Sequence, residues 1–526
     1  MDSKDAVRQE AYDIDLGTPG TERGGSTTTV DDFGSNGLDV RHMRRMRVFR
    51  QASLLCFTCV LMGTWEWVLI ATTQVLVAGG RAGFFWTYIW TFVGYAFLVA
   101  SLAEMASMAP TAGGQYHWVS EFAPRSCQRF LSYIAGWLSV LCWQAANASG
   151  MFLAGYMIQS LVVIRDSAYG APVWQGFLLV IAVALFCTVI NIYAEQWLPA
   201  IQNAVMVLHV GAFVATVAVF WALGPRIDAG TALLEFTDEG GWSSMGVALM
   251  VGQISAVVAL SAHMSEEVRD AGMSVPRAIF WTFWINGLMA FLVMVSYVFA
   301  IADIDDAIND PSGFPVIYAF RYAAGPTGAI VFVSILFILL VVGNVCYQAS
   351  TARQTFAFAR DGGLPFSRWI AKVDTKWHLP VNSIWLSAII TVLLSAINLG
   401  STSAFNAIIS LSSVAQMATY GISIACVLHR RIVAPHLLPK SQWSLGRYGV
   451  LVNVVAVAYA WFTFFWMFWP NATPVDVTSM NWAVVMFAGT VVISMAYFYV
   501  TARKAYAGPV TVTEGFERLT RDSEAH

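Results

Sequence analysis

Hydrophobic residues in this chain form about a dozen long stretches, and none of them carries a Lys or Arg near its middle. The hydrocarbon core of a bilayer is about 30 Å thick, so roughly 20 apolar residues cross it as an α-helix. Backbone polar groups in lipid must be paired within the segment, which favours helices over other structures. The pattern therefore predicts an all-α membrane protein that crosses the bilayer many times.

We predict twelve spans, which we number 1 to 12 in chain order. They cover residues 52–77, 84–108, 130–163, 173–193, 197–223, 244–264, 279–301, 327–352, 381–399, 405–428, 449–469 and 481–502. Residues 1–45 are rich in Gly, Ser, Thr and Asp without hydrophobic periodicity, so we expect a disordered tail. The helical domain covers 46–502, and residues 503–526 form a second polar tail.

The distribution of charge between the spans predicts the orientation of the chain. Five arginines directly precede span 1: Arg41, Arg44, Arg45, Arg47 and Arg50. With the N-terminus inside, the longer interior loops hold thirteen Lys or Arg, while the exterior loops hold four, together with ten Asp or Glu. Cytoplasmic loops carry an excess of Lys and Arg. We therefore expect both termini in the cytoplasm and a plasma-membrane protein, with the vacuolar membrane as the alternative.

Composition excludes several classes of function. The formal net charge is −3 and charged residues make up 12% of the chain, so nothing indicates a nucleic-acid partner. The seven cysteines lie in or beside apolar runs, which argues against a disulfide framework or a zinc site. We predict no metal and no cofactor.

Span 1 is interrupted by polar residues at its centre, in the order Gly63-Thr64-Trp65-Glu66-Trp67. Glycine weakens a helix, and an ionised carboxyl near the bilayer midplane is costly unless it faces a cavity or a partner. The structural alternative for Gly63 is close helix packing. Glu66 favours a functional site.

Span 6 is rich in small and polar residues, and we expect a break within Gln253–Ser261. The charge run at its end, residues 266–270, is interpreted mainly as a solvated helix end. Span 5 carries one titratable group, His209, whose ordinary pKa near 6.5 suits proton exchange. A neutral histidine with a purely structural role is the alternative.

Three connecting segments have distinctive sequences: EMASMAPTAGGQY at 104–116, EEVRDAGMSVPRAI at 266–279 and AFARDGGLPFSRWIAKVDTKWHLP at 357–380. In kind, order and spacing they resemble the amino acid–polyamine–organocation superfamily, and most of all the fungal amino acid/choline permeases, which include carriers of γ-aminobutyrate and choline. The resemblance covers about residues 45–505. It implies a leucine-transporter-like fold: inverted repeats over 52–223 and 244–428, and extra helices within 449–502.

The resemblance also implies secondary active transport by alternating access, with a substrate held at breaks in spans 1 and 6. The matching span 1 positions are Gly63, Thr64 and Trp65, and the span 6 break is expected near Ser255–Ala259. Related fungal carriers often show Gly-x-Asp where this chain has Val257-Val258-Ala259. Some bacterial relatives place a Lys on span 5 where this chain has His209.

Aromatic and polar residues of spans 1, 3 and 8 add a physical expectation. Indole faces attract organic cations, and Glu66 can supply a counter-charge, which suits an amine or quaternary ammonium group. Trp65 and Trp67 reach one cavity only if the helix is unwound, since two positions turn it by about 200°. The predicted substrate-binding residues are Gly63, Thr64, Trp65, Glu66, Trp67, Trp143, Gln144, Ser255, Val257, Ala259, Asn344 and Tyr347.

The predicted function is a permease for an amino acid or an amine derived from one, such as γ-aminobutyrate or choline, with proton coupling through His209 and Glu66. The expected partners are this small molecule, protons and lipid. A nutrient sensor on the same fold, which binds without transport, is the main alternative. A membrane enzyme and a channel are less favoured, because we see no nucleophile–base arrangement or nucleotide loop, and because broken helices suit alternating access.

Overall fold

The computed structural model describes residues 58–109, 113–166, 168–261, 271–400, 404–477, 479–506 and 508–509. Within these ranges, eleven helices are long and apolar enough to cross a membrane, and span 6 is a shorter apolar segment, Met245–Ala259. The predicted class, an all-α membrane protein, is confirmed; the count of twelve crossings stays a prediction. The tail 1–45, the arginines before span 1 and the charge run 266–270 lie outside the described residues.

The observed helices follow the predicted spans closely. Beyond the interrupted spans 1 and 6, they are Gly80–Met108, Gln128–Arg165, Val173–Tyr193, Leu198–Leu223, Ala271–Ala300, Pro315–Arg360, Val381–Ala396, Ala404–Val433, Gly449–Trp466 and Ala483–Tyr497. Shorter helices in the connections are Gln115–Phe122, Ala229–Leu234, Ile304–Ile308, Ser367–Ile370 and Arg503–Ala505.

Span 8 is the clearest difference in length. We predicted residues 327–352, and the structure has a helix over Pro315–Arg360. Gly325 inside it has φ 69° and ψ 177°, so two helices meet at a kink there. Pro326 follows, and proline suits the first position of a new helix. The prediction therefore found the start of the apolar helix and missed the more polar helix before it.

Spans 1 and 6 are both interrupted. In span 1 the regular helix is broken at Gly63, which has φ 47° and ψ 37°, resumes over Thr64–Ile70, and breaks again before Thr73–Val77. Span 6 consists of Met245–Gly252 and Ile254–Ala259. The one-residue gap at Gln253, where the backbone keeps helical angles (φ −58°, ψ −16°), and the helix end after Ala259 fall within the predicted window. The narrower expectation is wrong, because Ser255–Ala259 is itself helical.

The two interrupted spans are held against each other. Ala78 and Gly79, directly after span 1, form an antiparallel pair of short strands with Thr237 and Asp238, shortly before span 6. A Cβ atom on Gly252 would lie 2.4 Å from the carbonyl oxygen of Ala78. Only glycine permits this approach, so span 6 packs closely on the end of span 1 because a glycine stands at this position.

Polar contacts join the elements at the predicted interior ends of the spans. Glu104 bonds to Arg431 and accepts a hydrogen bond from the backbone of Leu445 at 2.9 Å. The Tyr116 hydroxyl donates to Asp361 at 2.8 Å. Tyr116 and Asp361 belong to the first and third of the distinctive segments, which therefore contact each other; residues 110–112 of the first lie outside the described residues.

The start of the C-terminal tail differs from the prediction. Helical structure continues through Ala505, beyond the predicted boundary at 502. Tyr506 is fully buried and its hydroxyl shares a hydrogen bond of 2.7 Å with Ser132. The apolar ring of Tyr506 packs against Tyr133 and Phe358, which explains why this polar-looking segment is held on the helices.

Candidate functional site

Glu66 and His209 are in direct contact between spans 1 and 5. The Oε1 atom of Glu66 lies 2.6 Å from Nδ1 of His209. Both side chains are buried: relative exposure is 4% for Glu66 and 1% for His209. A buried carboxyl without a partner would be costly, and the contact with His209 removes part of that cost. The structure thus brings together the two residues that we predicted for proton coupling.

Trp65 contacts the same histidine. Its indole N–H donates to Nδ1 of His209 at 3.2 Å, and the two ring centroids are 5.7 Å apart. The opposite packing partner is Phe213, also on span 5, with centroids 6.4 Å apart. Trp65 therefore packs against span 5, and it does not line the cavity described below.

Asn286 of span 7 is a fourth residue of this site, and the sequence analysis did not predict it. Its Nδ2 atom donates to the backbone carbonyl of Cys59 at 3.0 Å, just before the break at Gly63. Its side chain also approaches His209. An asparagine inside the apolar run of span 7 was a usable signal, because polar residues within a span face the protein interior.

Several polar atoms of this site lack a direct hydrogen-bond partner within the described part of the chain. They are Oε2 of Glu66, Nε2 of His209, Oδ1 of Asn286 and Oγ1 of Thr64. All four side chains are buried. Buried polar groups are normally hydrogen-bonded, so this cluster is able to bind a water molecule or exchange a proton.

A separate cavity of about 380 Å³ lies between spans 1, 3, 6 and 10, toward their predicted exterior ends. Its size falls within the range of small-molecule sites. The residues that line it are Ile70, Ala71, Thr73, Gln74, Phe152, Leu153, Tyr156, Gln159, Ser160, Val163, Ala171, Ile254, Ser255, Val258, Pro311, Ser312, Gly313, Phe314, Asn406, Ile409, Ser410 and Asn471.

Three polar atoms in this lining are buried and unpartnered among the described residues: Oγ of Ser255, Oγ of Ser410 and Oε1 of Gln159. They come from spans 6, 10 and 3. None of the lining residues that the structure describes is charged. The cavity therefore offers hydrogen bonds from three helices in an uncharged setting. We had predicted only Ser255; serines and glutamines in spans give too weak a signal to identify Ser410 and Gln159.

Most of the predicted substrate residues lie elsewhere. All of them are within the described part of the chain, and Ser255 alone lines this cavity. The expected cage of indoles around the substrate is not formed there, because Thr64–Ile70 is a regular helix. Two positions along such a helix differ by about 200°, so Trp65 and Trp67 point in different directions. Gly63 and Thr64 do not line the cavity either, and Val257 and Ala259 are packed in the core.

The predicted residues of spans 3 and 8 pack the two helices together rather than line this cavity. The rings of Trp143 and Tyr347 are 5.9 Å apart and belong to one buried cluster. Gln144 donates to the hydroxyl groups of Thr355 and Ser387, each at 3.0 Å. Polar residues that bridge helices in this way stabilise packing within a membrane.

Asn344 of span 8 lies against Gly150 of span 3, where an added Cβ would be 2.1 Å from the Asn344 oxygen. The Nδ2 atom of Asn344 has no partner within the described residues. We therefore assign Asn344 to the helix contact and not to the cavity.

The acid–histidine pair and the cavity are adjacent along span 1. Glu66 precedes Ile70, a lining residue, by four positions in one helix. That separation is one turn, or about 6 Å of helix rise. A movement of the segment Thr64–Ile70 would therefore act on both sites together.

Comparisons with known proteins agree with this architecture. The model of the family described as amino acid permease matches residues 49–493. A putative amino acid/polyamine transporter from Macrophomina phaseolina is 28% identical over 82% of this chain and 96% of its own length. Amino-acid permease 2 of Neurospora crassa is 27% identical over 97% of this chain and 96% of its own length.

A choline transporter of Saccharomyces cerevisiae is 25% identical over 77% of this chain and 73% of its own length. Among solved structures, a manganese transporter from Eremococcus coleocola in complex with an aromatic bis-isothiourea substituted compound superposes with a TM-score of 0.49 at 12% identity, covering 95% of this chain and 98% of that chain.

The family match extends over most of the chain, from before span 1 into span 12. It agrees with the crossing helices, the two interrupted spans and the cavity between them, and it identifies a transporter and not an enzyme. The chain belongs to the amino acid permease family.

Proposed function

We propose that this permease takes up a small zwitterion, an amino acid or a related molecule such as γ-aminobutyrate, together with protons by alternating access. The observation that carries the proposal is the position of an uncharged cavity one helical turn from the buried Glu66–His209 pair. Two relatives have names that refer to amino acids, and another is named a choline transporter. The uncharged lining of the cavity supports a zwitterion among these substrates.

A zwitterion fits the cavity better than a cation does. The lining residues in the described structure carry no charged side chain. Glu66, the predicted counter-charge, is already bonded to His209 and does not line the cavity. A lone cation would lose its hydration without gaining a partner charge, which is costly in a medium of low polarity. A zwitterion brings both charges and can bond to exposed helix ends and hydroxyl groups.

Proton coupling is supported by the composition of the buried pair. A carboxyl and an imidazole exchange protons near physiological pH, and ionisable groups inside a membrane mark proton pathways in pumps and transporters. The pair links span 5 to the helical segment Thr64–Ile70 of span 1, which ends at the cavity and whose movement would act on both sites. Gain or loss of the proton changes the attraction between these two spans.

The experiment is uptake into proteoliposomes with an imposed pH gradient, followed by competition with unlabelled compounds. We expect neutral amino acids or γ-aminobutyrate to compete, and choline and polyamines to have little effect. Uptake of labelled choline that zwitterions do not reduce would contradict the assignment of the substrate. Accumulation that ignores the pH gradient would contradict the coupling.

The same proposal includes location. The excess of thirteen basic residues in interior loops over four in exterior loops supports cytoplasmic termini. We propose the plasma membrane, and a fluorescent protein fused to the C-terminus tests both points. Fluorescence at the cell surface that an external protease does not reduce is expected, whereas a vacuolar signal would favour the alternative location.

A further inference from the structure

The orientation of the Asn286 side chain is fixed by its bond to span 1. A backbone carbonyl only accepts hydrogen bonds, so the group that reaches the Cys59 oxygen at 3.0 Å must be the amide NH₂ of Asn286. The carbonyl oxygen of Asn286 therefore points away from Cys59. It is buried and without a direct partner among the described residues, as is Nε2 of His209, the residue that Asn286 approaches.

Trp65 provides independent information about the same imidazole. An indole N–H only donates, so Nδ1 of His209 must accept the bond from Trp65 at 3.2 Å. In a neutral imidazole, one nitrogen carries the proton and the other carries a lone pair. The lone pair is then on Nδ1, and the proton is on Nε2, a buried atom that, like Oδ1 of Asn286, has no direct partner among the described residues.

The protonation of Glu66 follows from this tautomer. Its Oε1 atom lies 2.6 Å from Nδ1 of His209. A lone pair on Oε1 and the lone pair on Nδ1 would repel each other at that distance. A carboxylic acid O–H can instead donate to Nδ1, and 2.6 Å lies at the short end of the normal range for a hydrogen bond from an O–H group. The acid and the indole share one lone pair, which explains why the Trp65 bond is the longer of the two.

We propose that Asn286 and Trp65 are positioning residues that hold His209 as its Nε2–H tautomer, so that Glu66 carries the exchangeable proton in this conformation. The inference about transport rests on the proton coupling proposed above; the tautomer itself does not. Transfer of the proton would break the Glu66 O–H bond and form a His209 Nδ1–H bond, without net gain or loss of protons. It would leave the Trp65 N–H facing another donor, so Trp65 opposes this transfer.

Release of the Glu66 proton to solvent or to a proton pathway has a different result from its transfer to His209. A Glu66 carboxylate then faces the Nδ1 lone pair, and the contact between spans 1 and 5 opens. The neighbouring groups in the described part of the chain carry no charge that would compensate. Span 7 contributes Asn286 and Thr282, the Cys59 thiol of span 1 contacts Thr282, and the Cys346 thiol of span 8 contacts Gln202. The tautomer thus makes proton loss a signal that moves span 1.

The test compares the pH dependence of uptake in Asn286→Leu, Asn286→Asp and the control Asn191→Leu. Asn191 is also a buried asparagine whose amide bonds to a carbonyl of a neighbouring span, that of Val345 at 3.0 Å. Without the Asn286 oxygen, His209 can adopt the other tautomer, with its proton on Nδ1, and donate that proton to the Glu66 carboxylate in a hydrogen bond that stabilises it. The pH of half-maximal uptake should then fall by about one unit, the effect expected for one hydrogen bond to a charged group.

Asn286→Asp keeps an acceptor, so its half-maximal pH should stay unchanged or rise, and Asn191→Leu should leave the half-maximal pH unchanged even if it lowers the maximal rate. Equal shifts in Asn286→Leu and Asn191→Leu would overturn the proposal, because they would indicate a general effect of repacking. Absence of any shift in Asn286→Leu would overturn it as well.

A second measurement does not depend on transport or on the folding of a variant at position 286. Solid-state ¹⁵N spectra of the histidine-labelled protein, with His209→Asn used to assign the signal, report which ring nitrogen is protonated. We expect a neutral ring with protonated Nε2 at neutral pH. A protonated Nδ1 would overturn the inference even if proton-coupled uptake is observed, whereas the expected spectrum without pH-driven uptake would contradict only the proposed coupling.

Discussion

Replacement of Glu66 by Gln tests the role of the buried acid while it preserves the packing. The Gln amide is nearly the size of the acid and can donate to Nδ1 of His209, which lies 2.6 Å from Oε1 of Glu66. One neutral hydrogen bond replaces another, so we expect the stability of the fold to change by about 1 kcal/mol or less. The amide cannot release a proton in the physiological range, so the coupling is lost while the pair stays in contact.

The size of the effect follows from the driving force. A pH gradient of one unit corresponds to about 1.4 kcal/mol per proton, which supports tenfold accumulation of a substrate carried with one proton. Wild-type protein in proteoliposomes should therefore approach tenfold accumulation, and Glu66→Gln should stop at equal concentrations on both sides.

The matched control is Glu195→Gln, which removes a partly exposed acid that contacts Arg353 at 3.3 Å, away from the pair. It should accumulate substrate as the wild type does. If Glu66→Gln retained pH-driven accumulation near the wild-type level, the reasoning about this acid would be wrong, and the coupling would have to be assigned to other residues.

Three further changes test other parts of the account. Ser255→Val removes an unpartnered hydroxyl from the cavity and should raise the half-saturating substrate concentration about fivefold, whereas Ser494→Ala in span 12 should not. Tyr116→Phe removes the 2.8 Å bond to Asp361 and should destabilise the protein by about 1–2 kcal/mol, seen as a lower melting temperature in detergent. Burial lowers the pKa of His117 to about 4, whereas the unfolded chain has the ordinary value near 6.5. Because the unfolded state binds the proton first, this residue does not reduce the free energy of unfolding above pH 6.5 and reduces it as the pH falls from 6.5 toward 4. His117→Gln should reduce this loss in a series of melting curves; an equally steep loss would contradict it.

The sequence was sufficient to predict the membrane helices because length and hydropathy alone determine them. Span 4 was predicted at residues 173–193 and is observed as Val173–Tyr193. The sequence was not sufficient to predict the helix before Gly325, because residues 315–324 are too few to cross a bilayer and include Arg321. The break at Gly63 was predicted correctly, because glycine weakens a helix and the nearby Glu66 favours a functional site over simple close packing.

The site was predictable only in part. Glu66 and His209 were found because each is an ionisable residue within an apolar span, but their contact depends on how spans 1 and 5 are rotated. The same rotation places Trp65 against His209, which no pattern of residues could show. Sequence reasoning assumed an unwound segment that would bring Trp65 and Trp67 to one cavity. The observed helix over Thr64–Ile70 separates them.

The most direct test of the central claim is to measure proton movement during substrate uptake by the wild-type protein, with a pH-sensitive dye inside proteoliposomes and no imposed pH gradient. An inward substrate gradient should acidify the interior, and Glu66→Gln should remove this signal. Substrate entry at the full rate without acidification in the wild type would contradict the claim that the Glu66–His209 pair couples protons to transport.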